Sequence, residues 1–416
     1  MKAQQNKTGG IMENTQNICV MGLGYIGLPT ASLLATQGNT VVGVDVKPEV
    51  IDTINEGRIH IVEPDLDEQV RTAVSSGNLR AALTPSPADV FIIAVPTPFK
   101  EDHAPDLSYI EAATRAIAPV IALDNLVVLE STSPVGTTEK IAEILRQERP
   151  DLCDGDDLRL FVAHCPERVL PGHIIREIVE NDRIVGGITP RSTEVAAAFY
   201  RSFVYGTVLT TDSRTAEMAK LTENAYRDTN IAFANELSIV CARLGVDVWQ
   251  LIKLANHHPR VDILQPGPGV GGHCLAVDPW FLISAAPEDT QLIRAARTIN
   301  DGKIDWVVQR VIDRAQRLKD PIIGCMGLAY KPNIDDLRES PALAVTQRLM
   351  TALPNATILP CEPNLKSYDA FPIYPMHDVL KRADIIVGLV AHRSFRYLPR
   401  IHLEGKMVID TCGVFL

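Results

Sequence analysis

Residues 17–46 read "NICVMGLGYIGLPTASLLATQGNTVVGVDV", and their order decides the fold. An apolar run passes through a glycine-rich turn into a helix-compatible stretch with small residues, and a second apolar run closes on Asp45. This is the layout of a strand, a helix and a parallel strand. Gly22, Gly24 and Gly27 form G-x-G-x-x-G, and Asp45 follows at roughly the 20-residue distance at which an acid binds the ribose 2′-OH of a dinucleotide. The first glycine permits the tight turn, the second lets backbone approach a pyrophosphate, and the helix N-terminus supplies N–H groups and positive potential. Because an acid also repels a 2′-phosphate, the stretch predicts NAD, although the nearby Lys47 tempers the discrimination against NADP. The competing reading is a tight turn in which Asp45 caps backbone.

The wider composition fits such an enzyme. A chain of 416 residues with 46% apolar and 22% charged residues is globular and long enough for two or three domains. A net charge of −11 argues against a nucleic-acid partner, so anionic ligands have to be met by local Lys and Arg clusters. The longest apolar runs, such as "VFIIAV", fall far short of the ~20 residues of a membrane span. Residues 1–16 are polar, lack a secretion signal's apolar stretch, and are expected to form a disordered tail on a cytoplasmic protein. The eight cysteines contain no C-x-x-C pair and are expected to be thiols.

Further buried strands are expected in "ADVFIIAVPTP" and "NLVVLESTSPVG". In an open α/β sheet ligands gather at the carboxyl ends of strands, which puts Thr97 and Thr132 beside the cofactor, unless both hydroxyls cap helices instead. The theme returns late in the chain: "GCMGLAYKP" echoes "CVMGLGYIG", and "ADIIVGLVAH" and "MVIDTCG" follow in matching order. Ala329 stands where Gly24 stood, so a second dinucleotide site is not expected there. Between the halves a proline-free helical pattern predicts one long helix from about Thr215 to Leu244, suited to dimer contact, with Lys220, Asn224 and Arg227 on one face. The expected class is therefore α/β: two Rossmann-like doubly wound domains joined by a long central helix and a small helical dimerisation domain. The expected divisions are 17–210 for NAD, 211–303 for the central part and 304–416 for the second Rossmann-like part.

"VGGHCLAVDP", residues 270–279, holds the most reactive candidate. A thiol serves an NAD enzyme when an aldehyde must be oxidised further, because thiolate addition creates a carbon able to donate a second hydride. Cys274 follows flexible glycines, adjoins His273 and precedes a possible helix start that would favour a thiolate. The alternative is a small core residue near a turn. Lys220 and Asn224 can polarise an alkoxide or hold water with Asp278 as proton acceptor, or else mark an exposed helix face. Glu167 in "HCPERVLPG" either activates water or forms a surface ion pair. A metal shared by His164, Cys165, His273 and Cys274 is disfavoured, since neighbouring residues of a strand point to opposite sides.

From Ile18 onward the chain resembles the UDP-glucose/GDP-mannose dehydrogenase family, through "GLGYIGLPTA", "GRIHIVEPDL", "AVPTPFK", "ESTSPVGTTEK", "CPERVLPG", "RTAEMAKLTEN", "HPRVDILQPGPGVGGHC" and "GLAYKPNIDDLRESPA". The resemblance implies an N-terminal NAD domain, a helical dimerising middle, a C-terminal domain for a UDP-sugar, and four-electron oxidation of a C6 alcohol to a carboxylate by a homodimer. By the same resemblance Cys274 is the nucleophile, Lys220 and Asn224 steady the oxyanion, Asp278 assists as acid or base, and Glu167 is linked to thioester hydrolysis. It implies that Tyr25, Ile26, Asp45, Thr97 and Thr132 touch NAD, with Arg338 reaching it as well. For the nucleotide sugar it implies Arg168, Val169, Arg227, His258, Arg260, Gly271, Tyr330 and Lys331. One departure stands out: the family usually reads D-T-[KR]-G near the C-terminus, where this chain has Cys412 in "DTCG".

Overall fold

The computed structural model describes residues 15–61, 63–100, 103–170, 172–272 and 274–415. The expected tail lies almost entirely outside them, as does His273. The chain divides into two compact units, one up to Leu221 and one from Thr222 on.

The first unit is built on an eight-stranded sheet in the order Val208–Asp212, Arg183–Gly187, Phe161–His164, Leu126–Leu129, Val90–Ile93, Asn17–Met21, Thr40–Val44, Leu79–Ala82. All neighbours are parallel except Phe161–His164 with Arg183–Gly187. Every residue of Val90–Ile93 and Leu126–Leu129 is buried, because helices cover both faces of the sheet. Strand alternation divides the core accordingly. Ile18, Val20, Ile92 and Val128 pack with the helix Gly27–Thr36, while Cys19, Met21, Phe91, Ile93, Val127 and Leu129 pack with the helices Ser108–Ile117 and Thr137–Glu148.

The long helix runs from Ser213 to Leu244, two residues earlier than the sequence pattern suggests. Its first turns are fixed by charge: the Glu217 carboxylate accepts from Gly136 N (2.6 Å), Thr138 N (2.7 Å) and Thr138 Oγ1 (2.6 Å) at the start of the helix Thr137–Glu148. Those are donors that a helix N-terminus leaves without internal partners.

In the second unit the long helix is joined to the helix Gln291–Ala315 by buried polar groups. Arg297 Nη1 donates to Asp228 Oδ1 (2.7 Å), Asn300 Nδ2 to the same oxygen (2.8 Å), and Asn235 Nδ2 to Asn300 Oδ1 (2.9 Å). A four-stranded parallel sheet follows, in the order Thr357–Cys361, Ile322–Met326, Ile385–Gly388, Met407–Asp410. This matches the run Thr40–Val44, Asn17–Met21, Val90–Ile93, Leu126–Leu129 strand for strand, as the repeated motifs predict. Gly22 and Gly327 correspond in detail: both have positive φ (+91° and +99°), and their N–H groups donate to Val44 O and Cys361 O, each at 2.8 Å. Among the described residues no helix is long and apolar enough to cross a membrane.

Candidate active site

At the carboxyl ends of the first sheet the glycines form a tight backbone turn. A Cβ on Gly22 would lie 2.6 Å from Ala94 O, and one on Gly27 1.9 Å from Gly22 O, so turn and helix pack backbone to backbone. Gly24 differs: a Cβ there would meet no protein atom within 4 Å. Space is thus left beside the helix that starts at Gly27, as a pyrophosphate requires. Asp45 ends the neighbouring strand half-buried, with Oδ2 accepting from Leu23 N (3.1 Å) and Oδ1 from Lys47 N (3.1 Å). One bond on each oxygen leaves acceptor capacity for a ribose hydroxyl. Tyr25 and Ile26 are half-buried in the same turn, Tyr25 against the core.

Among the described residues neither Thr97 nor Thr132 caps a helix. Thr97 Oγ1 is buried without a hydrogen-bond partner, and so is Ser133 Oγ, a residue the sequence reading missed. Two orphaned hydroxyls beyond adjacent strands, next to an open glycine cradle, fit a polar cofactor lying across the strand ends. Arg338 belongs to the second unit, where it forks onto Asp336 (Nη2–Oδ2 2.6 Å).

Glu167 is not in a surface ion pair. It is buried, with Oε2 accepting from Arg183 Nη1 (2.6 Å) and Oε1 from Arg168 N (2.7 Å). Beside it Glu130 accepts from Tyr200 Oη (2.7 Å); burial, with the Glu167 charge adding to it, pushes this carboxyl up to about 7. Arg168 Nη1 donates to Asp182 O (3.1 Å), and Val169 packs on the core. The loop is closed by Glu63, whose carboxylate accepts from Gly172 N and Ile174 N, both at 2.8 Å. Burial holds His164 down to about 3, with the Lys220 ammonium adding to the effect, so its imidazole is neutral. Cys165 packs in the cluster on the opposite sheet face, as strand alternation requires. Among the described residues no cluster of three His, Cys, Asp or Glu side chains could hold a metal ion.

In the second unit Asn224 and Asp278 come together through a hydrogen bond from Asn224 Nδ2 to Asp278 Oδ2, both residues buried. Cys274 lies one turn before the helix Asp278–Ala285, its carbonyl accepting from Val277 N (3.0 Å) and Asp278 N (2.8 Å). Its loop is thereby tied to the acid four residues on. Of the eight cysteines, none in a disulfide, burial pushes Cys19 up to about 11, and Cys165, Cys325 and Cys361 up to about 12. Cys274 is only half-buried, which separates it from those core thiols.

Gly271 packs against the loop carrying Tyr330: a Cβ there would lie 2.4 Å from Glu339 O and 2.9 Å from Tyr330 Cβ. Tyr330 and Lys331 are half-buried. Arg227, His258 and Arg260 are exposed, with Arg260 N donating to His258 Nδ1 (3.3 Å). Lys220 is half-buried at the end of the first unit. Cys412 packs partly into the core of the second sheet, and burial raises its thiol well above the usual range.

Comparison with known proteins decides the family. Models of the UDP-glucose/GDP-mannose dehydrogenase family match residues 16–204 (NAD binding domain), 214–302 (central domain) and 324–415 (UDP binding domain). The chain belongs to this family. It is 57% identical to an NDP-N-acetyl-D-galactosaminuronic acid dehydrogenase of Ralstonia nicotianae, over 96% of each chain. It is 50% identical to the UDP-N-acetyl-D-mannosamine dehydrogenase of Escherichia coli K12, over 96% of this chain and 99% of the other. Among solved structures, the UDP-D-ManNAc dehydrogenase of Pyrococcus horikoshii superposes with a TM-score of 0.86 at 41% identity, covering 96% of each chain. The protein is an NAD-dependent UDP-sugar dehydrogenase.

Proposed function

We propose that the chain oxidises UDP-N-acetyl-D-mannosamine at C6 to the uronate, in two steps on one cysteine. What carries this reading is the half-buried Cys274 thiol, held one turn from the Asn224–Asp278 pair in a chain whose relatives include UDP-N-acetyl-D-mannosamine dehydrogenases at 50% identity. NAD would be held by the Gly22–Gly27 turn, Asp45, Thr97 and Thr132, and would supply a hydride acceptor for each of the two oxidations. Asp278, through a water held by Lys220 and Asn224, accepts the C6 hydroxyl proton, and the same lysine and asparagine stabilise the negative oxygen as the alcohol becomes an aldehyde. The Cys274 thiolate then adds to the aldehyde carbon, forming a C–S bond and a thiohemiacetal. Loss of the second hydride from that carbon leaves a thioester. Water, deprotonated with the help of Asp278 or Glu167, adds to the thioester carbon, and the thiolate departs as the carboxylate forms. Arg168, Arg227, Arg260, Tyr330 and Lys331 supply cations and an aromatic ring for the UDP half, as an acidic protein needs for an anionic ligand.

The reading includes the domain divisions 17–210, 211–303 and 304–416, and a homodimer. The long helix supports the latter with an exposed apolar stripe at heptad spacing, Tyr226, Phe233 and Val240. A cytoplasmic location agrees with eight cysteines outside any disulfide. A second reading, formation of an N-acetylgalactosaminuronic acid nucleotide, is favoured by the 57% identity to the Ralstonia enzyme.

An NADH assay across UDP-ManNAc, UDP-GalNAc, UDP-GlcNAc and UDP-glucose tests both. The expected result is fastest turnover of UDP-ManNAc with two NADH per sugar. One NADH with released aldehyde would overturn the thioester route, and preference for UDP-GalNAc would establish the second reading. No turnover with any of them would overturn both readings of the substrate.

A further inference from the structure

In the first sheet the acid that ends the second strand is Asp45, which keeps acceptor capacity open. The second sheet has Glu362 at that place, directly after the strand Thr357–Cys361. It is 3% exposed and saturated. Its Oε2 accepts from Leu328 N (2.8 Å), Ala329 N (3.1 Å) and His392 Nε2 (3.0 Å), and its Oε1 from Asn364 N and Nδ2, both at 3.0 Å. A carboxylate offers about four lone-pair positions, so five donors leave none for a ribose hydroxyl.

His392, 1% exposed, extends the arrangement to the far end of the same loop. Its Nδ1 accepts from Asn333 N (2.9 Å), which requires Nδ1 to be unprotonated and Nε2–H to donate to Glu362. Asn333 itself sits in the left-handed region (φ +63°), and its Oδ1 accepts from Arg393 N (2.9 Å). Leu328 is also tied from the other side, its carbonyl accepting from Ser340 Oγ (2.6 Å). Residues 328 and 329 are thus held by Glu362 and residue 333 by His392, with Tyr330 and Lys331 between the two anchors.

We propose that Glu362 and His392 form a positioning clamp that presents Tyr330 and Lys331 to the uridine diphosphate of the substrate, in place of the ribose-binding acid of the first sheet. This rests on the reading above that the 330–331 loop takes the UDP half. Neither residue touches the reacting carbon, so the clamp acts on binding of the sugar nucleotide and not on the chemical step.

The test compares wild-type protein with His392→Phe, which keeps a ring but loses the bonds to Asn333, Asn364 and Glu362, and with His392→Gln, which offers a carbonyl to Asn333 and an N–H to Glu362. Calorimetry with UDP and with NAD is paired with steady-state kinetics. Expected for His392→Phe is a UDP Kd and a sugar-nucleotide KM raised about tenfold, the scale of one lost buried hydrogen bond, with kcat and the NAD Kd little changed. His392→Gln should recover part of the UDP affinity. Should His392→Phe fail to fold, Glu362→Gln provides the same comparison, since its amide must face either the Leu328 and Ala329 N–H groups or Asn364. Unchanged UDP affinity in the variants, or equal losses for UDP and NAD, would overturn the clamp alone. Wild-type protein that does not bind UDP would overturn the underlying reading of the loop, and the clamp with it.

Discussion

Tyr330 lies against Gly272: a Cβ on this glycine would come within 2.8 Å of Tyr330 Cε2. The loop that carries Cys274 and the loop proposed to bind UDP therefore share one packed contact. Gly272 also has φ +86°, and its N–H donates to Arg338 O (3.1 Å). Gly272→Ala is expected to cost about 1–3 kcal/mol of stability through strain and overpacking. It should also lower kcat/KM for the sugar nucleotide more than it raises the KM for NAD. Urea unfolding together with both kinetic constants checks this; a variant as stable and active as wild type would show that the contact is dispensable.

Cys274→Ser keeps the size of the side chain but provides a far weaker nucleophile. Carboxylate formation is expected to fall by roughly 10³-fold or more, on the scale of losing a covalent catalyst. NAD binding, which belongs to the first unit, should persist. Product analysis by mass spectrometry decides the matter, and full uronate production by the variant would remove the thiol from the mechanism.

The buried Glu130 makes a pH prediction. Its folded pKa of about 7 lies above the ordinary 4.5, so the folded state binds the proton more tightly than the unfolded chain. Its contribution to stability is fully present below about pH 4.5 and is lost as pH rises through about 7. Glu130→Gln is permanently neutral and can still accept from Tyr200. Relative to this variant, wild type should lose at most about 3 kcal/mol over that interval. Parallel stability curves for the two proteins between about pH 5 and pH 8 would contradict the assignment.

Asp228 and Arg297 form a buried pair whose guanidinium also reaches Leu275 O at 3.5 Å, next to Cys274. Asp228→Ala leaves the buried Arg297 guanidinium with only the solvent-exposed Asp301 carboxylate as its ionic partner and should cost up to about 3 kcal/mol. The double variant Asp228→Ala, Arg297→Met should be less destabilised than the single one, because no buried charge remains and Asp301 faces solvent. A double-mutant cycle in urea measures the difference; additive losses would mean that the two groups do not interact.

Much of this was legible beforehand because it is local. The run 17–46 carries its own turn chemistry, and the apolar strands and the long helix follow from periodicity within a few residues of each other. The helix starts at Ser213 because Asp212 caps it locally, accepting from Thr215 N (2.9 Å), a signal the periodicity reading passed over; what no local pattern encodes is the tie from Glu217 to Gly136 and Thr138, some 80 residues away in sequence. Glu167 shows the same limit: "CPERVLPG" announces a loop with an acid, but its partner Arg183 comes from a different strand. Nothing in the one-dimensional pattern distinguishes Ser133, whose hydroxyl is orphaned, from Ser131, whose hydroxyl donates to Val95 O.

The sequence by itself determined the repeated parallel sheet, the glycine turn, the long helix and the set of reactive residue types, since each depends on neighbours a few positions apart. Only the tertiary structure decided which carboxylates remain open and which are consumed. Asp45 and Glu362 end equivalent strands, yet one keeps acceptor capacity and the other is saturated by Leu328, Ala329, Asn364 and His392. That outcome depends on donors brought from distant segments to one buried point, and no local spacing encodes it.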